Sequence, residues 1–314
     1  MENSVVFGPV PSRRLGRSLG VNNIPDKICS YGCIYCQVGK TLKMEIERRV
    51  YYDKELIFNM VEKRLREIEN RGERLDYVSF VPNGEPTLDI NLGKEINMIG
   101  NLGFKVAVIT NSSLIWREDV KEDLYFADLV SFKIDSVDKG NWKRINRPNK
   151  FLNLEKILDS ILDFSRNYNG KLITETMLVG NFDYDIDSIG KFLKNINNLY
   201  RAYISIPIRP PAENWVKKPD ENVINLSYNI LTKYLGEEKV HLLTSFEGED
   251  FSISEDPIKN LLAIMAVHPL MEEALLKYIK ESNINYETIE EMIKKGEIKE
   301  TYFYGKKFFM RRIL

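Results

Sequence analysis

A chain of 314 residues, 43% hydrophobic and 29% charged, is long enough for one large α/β domain or for a domain with a small appendage. Its net charge of −1 gives no global field toward nucleic acid or anionic lipid, so any such site has to be a local patch. No apolar run reaches the ~18 residues of a membrane span, and Met1-Glu2-Asn3-Ser4 opens no secretory signal; a cytoplasmic location without a membrane partner is expected.

A Gly-, Pro- and Arg-rich stretch runs from Gly8 to Gly20. Beyond it, short apolar segments alternate with amphipathic ones. Residues 19–24, 77–81, 105–110, 129–134, 171–179 and 202–208 read as strands buried on both faces. Residues 54–70, 89–101, 117–126, 152–168 and 186–197 read as helices between them. Leu56, Met60, Leu65 and Ile68 carry the helical spacing of the first. Six βα units in series predict a parallel sheet with right-handed crossovers. A helix over 222–234 and a strand over 240–244 follow.

Near Asp256-Pro257 the pattern changes. Residues 257–267, 270–282 and 286–295 read as helices. Residues 298–304 and 308–313 read as a hairpin across the basic turn Gly305-Lys306-Lys307. The chain is therefore expected to be α/β, with a main unit over 1–255 and a small winged-helix-like unit over 256–314 that either recruits a substrate or forms a lid.

All three cysteines lie in one run of eight residues, Cys29-Ser30-Tyr31-Gly32-Cys33-Ile34-Tyr35-Cys36, directly after the first strand. An odd, clustered trio is poor material for disulfides and good material for a metal. Three thiolates on one loop can each take one iron of a cubane and leave the fourth iron open to an exogenous chelate. Gly32 is expected to give the loop the freedom to wrap such a cluster. A structural zinc site normally takes four ligands, and His241 and His268 are remote in sequence. A ferredoxin run uses two-residue gaps and a fourth cysteine.

On these residues the chain resembles the radical S-adenosylmethionine (SAM) superfamily over roughly residues 5–250. Within it, the chain is similar to the Fe–S oxidoreductase branch related to wyosine-type tRNA-modifying enzymes. The shared segments are Gly8-Pro9-Val10-Pro11-Ser12-Arg13-Arg14-Leu15-Gly16, Asn83-Gly84-Glu85-Pro86-Thr87, Thr110-Asn111-Ser112, Ser131-Phe132-Lys133-Ile134-Asp135 and Ile145-Asn146-Arg147-Pro148. The resemblance implies a partial (βα)6 barrel with its site at the C-terminal ends of the strands. It implies a 4Fe-4S cluster on Cys29, Cys33 and Cys36, S-adenosyl-L-methionine on the open iron, and a low-potential electron donor such as ferredoxin or flavodoxin. Reductive cleavage of SAM would then give a 5′-deoxyadenosyl radical that abstracts hydrogen from a substrate. The resemblance also puts Tyr35 beside the adenine. Asn83, Gly84 and Glu85 stand where the family binds the SAM amino group with Gly-Gly-Glu, although Asn-Gly is also a common turn dipeptide.

The remaining candidates are open to two readings each. Thr110 and Asn111 either contact SAM or cap the next helix. Ser131, Lys133 and Asp135 alternate along one strand and share a face; facing the barrel interior they need a ligand, whereas on an edge strand they would be solvated. On the next strand, Thr174 and Thr176 are chosen for the site over Glu175 and Met177, because parity alone does not set the inward face. Arg209 ends the last barrel strand, over the site or on the surface. Arg13, Arg14 and Arg17 bind phosphate or carboxylate, or form a solvated loop. Trp142, Lys143, Arg144 and Arg147 make a patch able to stack a base and hold phosphate, and Lys306, Lys307, Arg311 and Arg312 make a second basic surface. The expected substrate is tRNA or another RNA, with a peptide or protein as the alternative and an Fe–S redox-sensing winged-helix regulator as the non-enzyme alternative. With three cysteines in all, the second cluster of wyosine-forming relatives has no ligands here. Oligomeric state has no signature in the sequence.

Overall fold

The computed structural model describes residues 5–312 apart from Asp26, Glu247 and Glu249. Eight strands form one curled sheet in chain order: β1 (Val6–Ser12), β2 (Gly16–Val21), β3 (Tyr77–Phe80), β4 (Val106–Thr110), β5 (Leu129–Lys133), β6 (Lys171–Met177), β7 (Leu199–Ser205) and β8 (Val240–Leu243). β1 and β2 are antiparallel, and β2 through β8 are parallel. Helices α1 (Lys54–Asn70), α2 (Leu92–Gly100), α3 (Glu118–Leu124), α4 (Lys139–Asn146), α5 (Leu154–Asn167), α6 (Ile186–Lys194) and α7 (Glu221–Leu235) lie in the crossovers. This is the partial barrel expected from the alternating segments, with two differences.

The Gly8–Gly20 stretch is a hairpin rather than an irregular lead-in. Pro9 and Pro11 hide it from a propensity reading, yet β1 is an edge strand, where a missing N–H is tolerated. The register shifts between Phe7 and Val10, around Gly8-Pro9. The second difference is α4, a two-turn helix too short to show periodicity. Asp138 caps it by accepting from the Asn141 N–H, and Arg147, at φ 45°, ends it in the left-handed region.

Strand parity divides the interior. Outward residues such as Val78, Val108, Val130, Leu172 and Ile204 are buried with the helices in the main core. On α1 the buried stripe is Ile57, Val61, Leu65 and Ile68; Leu56, expected on that stripe, is 46% exposed. Inward residues Ala107, Leu129, Ile173 and Tyr203 close a separate floor with Leu15 and Leu243. Inward positions further along the same strands are polar, and they form the site.

Residues from 257 onward form α8 (Pro257–Val267), β9 (Leu270–Met271), α9 (Glu272–Glu281), α10 (Tyr286–Lys294), β10 (Ile298–Phe303) and β11 (Lys306–Arg311), with sheet order β9-β11-β10. Leu270 and Met271, expected to begin a helix, pair with β11 instead. The hairpin turn is Tyr304-Gly305, both at positive φ, as a two-residue hairpin turn of this kind requires. Lys306 and Lys307 are therefore strand residues, and Lys307 pairs with Glu300 at 2.5 Å and Glu272 at 3.6 Å. Ile313, expected in the last strand, lies outside the described residues, as do Met1 to Ser4. Among the described residues no helix is long and apolar enough to cross a membrane.

One buried group costs stability. Glu95 on α2 is 1% exposed, and neither carboxylate oxygen has a hydrogen-bond partner. Burial, reinforced by Asp89 and Asp123, pushes its pKa up to about 9. A carboxyl raised in the folded state contributes stability below its unfolded pKa and loses it as pH rises toward the folded value. Glu95→Gln is therefore expected to raise stability relative to wild type by near zero at pH 4 and by a few kcal/mol, on the order of the linkage integral, at pH 8, with Tm rising accordingly. A thermal-melt series across that range checks it; a pH-independent difference would contradict it.

Candidate active site

The cysteine run forms a loop between β2 and α1 that is pinned from two sides. The Gly32 N–H donates to the Asn146 and Arg147 carbonyls at 3.0 and 3.1 Å, and the Ile34 N–H donates to the Ile145 carbonyl at 3.0 Å. Ile34 is fully buried. The Tyr31 ring stands edge-on to Trp142, whose indole N–H donates to the Tyr31 hydroxyl at 3.1 Å. Trp142 is thus a buried support of the loop, not a stacking surface. On the other side the Glu85 N–H donates to the Ile28 carbonyl at 3.1 Å. A Cβ on Gly84 would fall 2.0 Å from that same carbonyl oxygen, so glycine is required there. Gly32, expected to need conformational freedom, does not use the left-handed region, and a Cβ would meet only ordinary contact at 3.4 Å.

Glu85 is a buried hub. Its Oε1 accepts from the Thr87 N–H at 3.1 Å, the Thr87 hydroxyl at 2.7 Å and the Thr110 hydroxyl at 2.6 Å, and its Oε2 accepts from the Asn111 N–H at 2.8 Å. Burial raises its pKa, while these donors oppose the rise. Asn111, held this way, directs its side-chain amide to Cys29 Sγ at 3.4 Å and Ser30 Oγ at 2.8 Å. Asp135 is a second hub. It accepts from the Tyr35 hydroxyl, from Asn146 Nδ2 at 2.6 Å and from the Met177 N–H at 2.8 Å. Asn146 Nδ2 also lies 3.4 Å from Cys33 Sγ. Each hub thus orients an asparagine amide toward one cysteine sulfur.

A cavity of about 300 Å³ opens over the loop. Cys29, Cys33, Cys36, Tyr35, Gly84, Glu85, Thr110, Asn111, Ser131 and Lys133 line it, together with Arg13, Arg14 and Arg209. The remaining sequence candidates do not line it. Asn83 is buried beneath the turn, where its N–H donates to Asn22 Oδ1 at 2.8 Å. Asp135 holds the loop from behind. Arg17 pairs with Glu73 at 2.8 Å and Arg147 with Glu213 at 2.5 Å, both away from the cavity.

The choice of Thr174 and Thr176 on β6 is reversed. Glu175 and Met177 face the cavity, sharing parity with Ile173 in the floor. Thr176 donates instead to the Ile134 carbonyl at 2.8 Å. Thr176 is satisfied outward by backbone and Thr174 is buried there with its hydroxyl unpaired, whereas Glu175 needs cations. It has them in Lys133 at 2.7 Å and in Arg14, with Ser205 donating at 2.9 Å. Burial lowers the Lys133 pKa. Sequence reasoning also missed Gln37 and His268. Arg209 Nη1 donates to Gln37 Oε1 at 3.3 Å, Arg209 Nη2 lies 2.8 Å from His268 Nε2, and Gln37 Nε2 donates to the Val267 carbonyl at 3.1 Å. Val267 and His268 therefore bring the C-terminal elements to the cavity wall. Gln37, the sole glutamine and next to Cys36, was the available signal.

The sequence profile of the radical SAM superfamily matches residues 24–196, which span the cysteine loop and the strands that carry both hubs. The chain belongs to the radical SAM superfamily. It is 48% identical over 313 residues to the UPF0026 protein MJ1312 of Methanocaldococcus jannaschii, covering 99% of this chain and 97% of that protein. It is 34% identical to a UPF0026 protein of Helicobacter pylori, covering 71% and 72% of the two. In fold it is similar to TYW1 with a lysine-pyruvate adduct bound, at TM-score 0.51 and 18% identity over 69% of this chain and 73% of that one. It is similar to the same degree, TM-score 0.51 and 14% identity, to a radical SAM methyltransferase from Sphaerobacter thermophilus, over 73% and 67% of the two chains. These structural likenesses concern the fold.

Radical SAM enzymes use a 4Fe–4S cluster and SAM. The residues present fit that group. The three cysteines are free and face one cavity. Among the described residues no three His, Cys, Asp or Glu side chains converge on a single metal ion. A cubane asks for something else, one thiolate per iron on separate corners. Burial pushes the Cys33 thiol up to about 12 and raises Cys29 further still. These thiols are protonated without metal, and loading displaces the protons.

Proposed function

We propose that this radical SAM enzyme acts on RNA, with tRNA the first candidate. In this reading Cys29, Cys33 and Cys36 hold the cluster. SAM lies against Tyr35, Gly84, Thr110, Asn111, Ser131 and Lys133, while Glu85 and Asp135 position that surface. When bound, the cluster and SAM supply a 5′-deoxyadenosyl radical that takes a hydrogen atom from the substrate. The chain's own task is then to orient the reactants and exclude water. Apolar walls at Phe7, Val81, Ile206, Ile208 and Val267 serve the second purpose. Residues 256–314 act as a lid that completes the wall through Val267 and His268.

The observation that carries the RNA reading is the charge of the cavity away from the cysteines. Among the described lining residues, Arg13 and Arg14 of the β1–β2 turn and Arg209 after β7 stand on that wall, with Arg14 paired to Glu175, in a chain whose net charge is −1. Arginine forks suit phosphate groups. Outside, Phe182 stacks near Trp215 with Arg144 over its ring at 4.7 Å, a surface on which a base can stack. The resemblance to wyosine-type tRNA-modifying enzymes points the same way.

The experiment has two arms. Anaerobic reconstitution is expected to give about four irons and four sulfides per chain, with reductant-dependent 5′-deoxyadenosine from SAM. Cys33→Ala is expected to lose both, and stoichiometric zinc without labile sulfide would end the reading. The second arm recovers what crosslinks to the chain in cells. tRNA enrichment is expected, and a peptide recovered in its place would replace the substrate assignment while leaving the radical chemistry intact.

A further inference from the structure

The cysteine loop approaches the surface on one side. Ile28 and Cys29 pair with Lys43 and Met44. Gly32, between the first two cysteines, is covered there by Met44 and Arg147; a Cβ built on it would lie 3.4 Å from Met44 Cε and 3.7 Å from Arg147 Cβ. Only the thickness of these side chains separates the loop from solvent, since Met44 is 40% exposed and the Arg147 side chain 46%. The Asn149 N–H donates to the Ser30 carbonyl at 3.0 Å, which sets residues 147–151 against the same side.

This face has the composition of a contact surface. Leu42, two residues before Met44, is 68% exposed, and Phe151, in the segment that Asn149 sets against the loop, is 71% exposed. The same two segments, 40–44 and 143–150, carry the exposed cations Lys40, Lys43, Lys143, Arg144, Arg147 and Lys150. The facing carboxylates are fewer: Glu213 is shared by Lys40 and Arg147, and Glu45 by Lys43 and Arg49. A small apolar centre in a basic rim is unusual for a chain of net charge −1.

We propose that this face docks an acidic one-electron carrier protein of the flavodoxin or ferredoxin type. Electron tunnelling falls off steeply with distance, so a carrier must bring its own centre against a thin cover over the acceptor, and the Met44 and Arg147 side chains of the basic face are such a cover. Charge complementarity steers and orients such an encounter. The exchange is one electron, with the carrier oxidised by one and the cluster reduced by one, and no bond is made or broken. The proposal rests on the three cysteines holding the cluster.

The test uses the full-length reconstituted protein and follows loss of cluster absorbance by stopped flow. The probes are a photoreduced bacterial flavodoxin, a reduced ferredoxin and dithionite. Wild type is expected to react with a carrier at a rate that falls between ~20 and ~300 mM salt. The Lys40→Glu, Lys43→Glu, Lys150→Glu triple variant is expected to react with it ~10-fold more slowly at low salt, with a flat salt profile. Its iron content and its rate with dithionite should match wild type. A triple variant reduced by both carriers as fast as wild type overturns the proposal, as does one that loses only RNA binding. If the triple variant loses iron, Lys40→Glu with Lys150→Glu, which leaves the Lys43 strand pair untouched, carries the same expectation. Wild type that holds a dithionite-reducible cluster but ignores both carriers defeats the proposal alone. Wild type that holds no cluster defeats the cysteine assignment beneath it.

Discussion

Glu85→Ala is expected to destabilise the metal-free chain by roughly 3–5 kcal/mol, the cost of leaving several buried donors unpaired. The carboxylate accepts four hydrogen bonds and is 1% exposed. Thr87, Thr110 and the Asn111 N–H lose their acceptor together. The effect extends to the site, because Asn111 reaches Cys29 and Ser30 only while its backbone is held. Glu85→Gln separates the parts. It keeps an oxygen for the two threonines and turns an NH2 toward the Asn111 N–H, so stability should fall less while cluster loading still suffers. Urea denaturation of the metal-free variants, followed by iron analysis after reconstitution, checks both statements. A Glu85→Ala chain as stable as wild type would show that the hub carries no load.

The same residue illustrates what the sequence disclosed. The Asn83-Gly84-Glu85 segment was legible as part of the site through its resemblance to the family's Gly-Gly-Glu segment at the end of a buried strand. Its division of labour was not legible: Gly84 is required by the Ile28 carbonyl, and Glu85 acts on other side chains rather than standing open to a ligand. The cysteine run and the barrel were readable for the same cause, a local pattern repeated in order along the chain. Features set by contacts distant in sequence were not readable. Period-two alternation places Thr174 with Thr176 and Glu175 with Met177, but which pair faces inward depends on Lys133 and Arg14, one from the neighbouring strand and one from the β1–β2 turn. Trp142 looked like a base-stacking residue until its indole met Tyr31 across 111 positions. The β1–β2 hairpin was obscured by two prolines that an edge strand accommodates.

Removing residues from Asp256 onward is expected to give an insoluble or molten chain rather than a working barrel without its appendage. A recruiting module would join the barrel by a linker and few contacts. These elements instead share a core with the barrel's edge strand. Phe7 and Val10 of β1 are 3% and 9% exposed and pack in one cluster with Leu261, Ile264, Leu275 and Phe309. Asn260 Oδ1 accepts from the Gly8 N–H at 3.1 Å, and its amide donates to the Ser252 carbonyl at 2.8 Å. Arg64 of α1, 6% exposed, donates to the Gly8 carbonyl at 2.8 Å and to the Ile253 carbonyl at 3.2 Å. Truncation would expose Phe7, Val10 and Phe251 at about 1.5–3 kcal/mol per side chain and open the cavity at Val267 and His268. Asn260→Ala is a gentler form of the same test. It leaves the Gly8 N–H unpaired, removes the contact with Tyr278 Oη at 3.0 Å, and should cost about 2–4 kcal/mol while the chain stays folded. Static light scattering and dye binding to exposed apolar surface report the truncated chain, and chemical denaturation reports the point variant. A soluble, cooperatively folding truncation that assembles its cluster would mean that residues 256–314 are a separable module, and the lid assignment would fall with it.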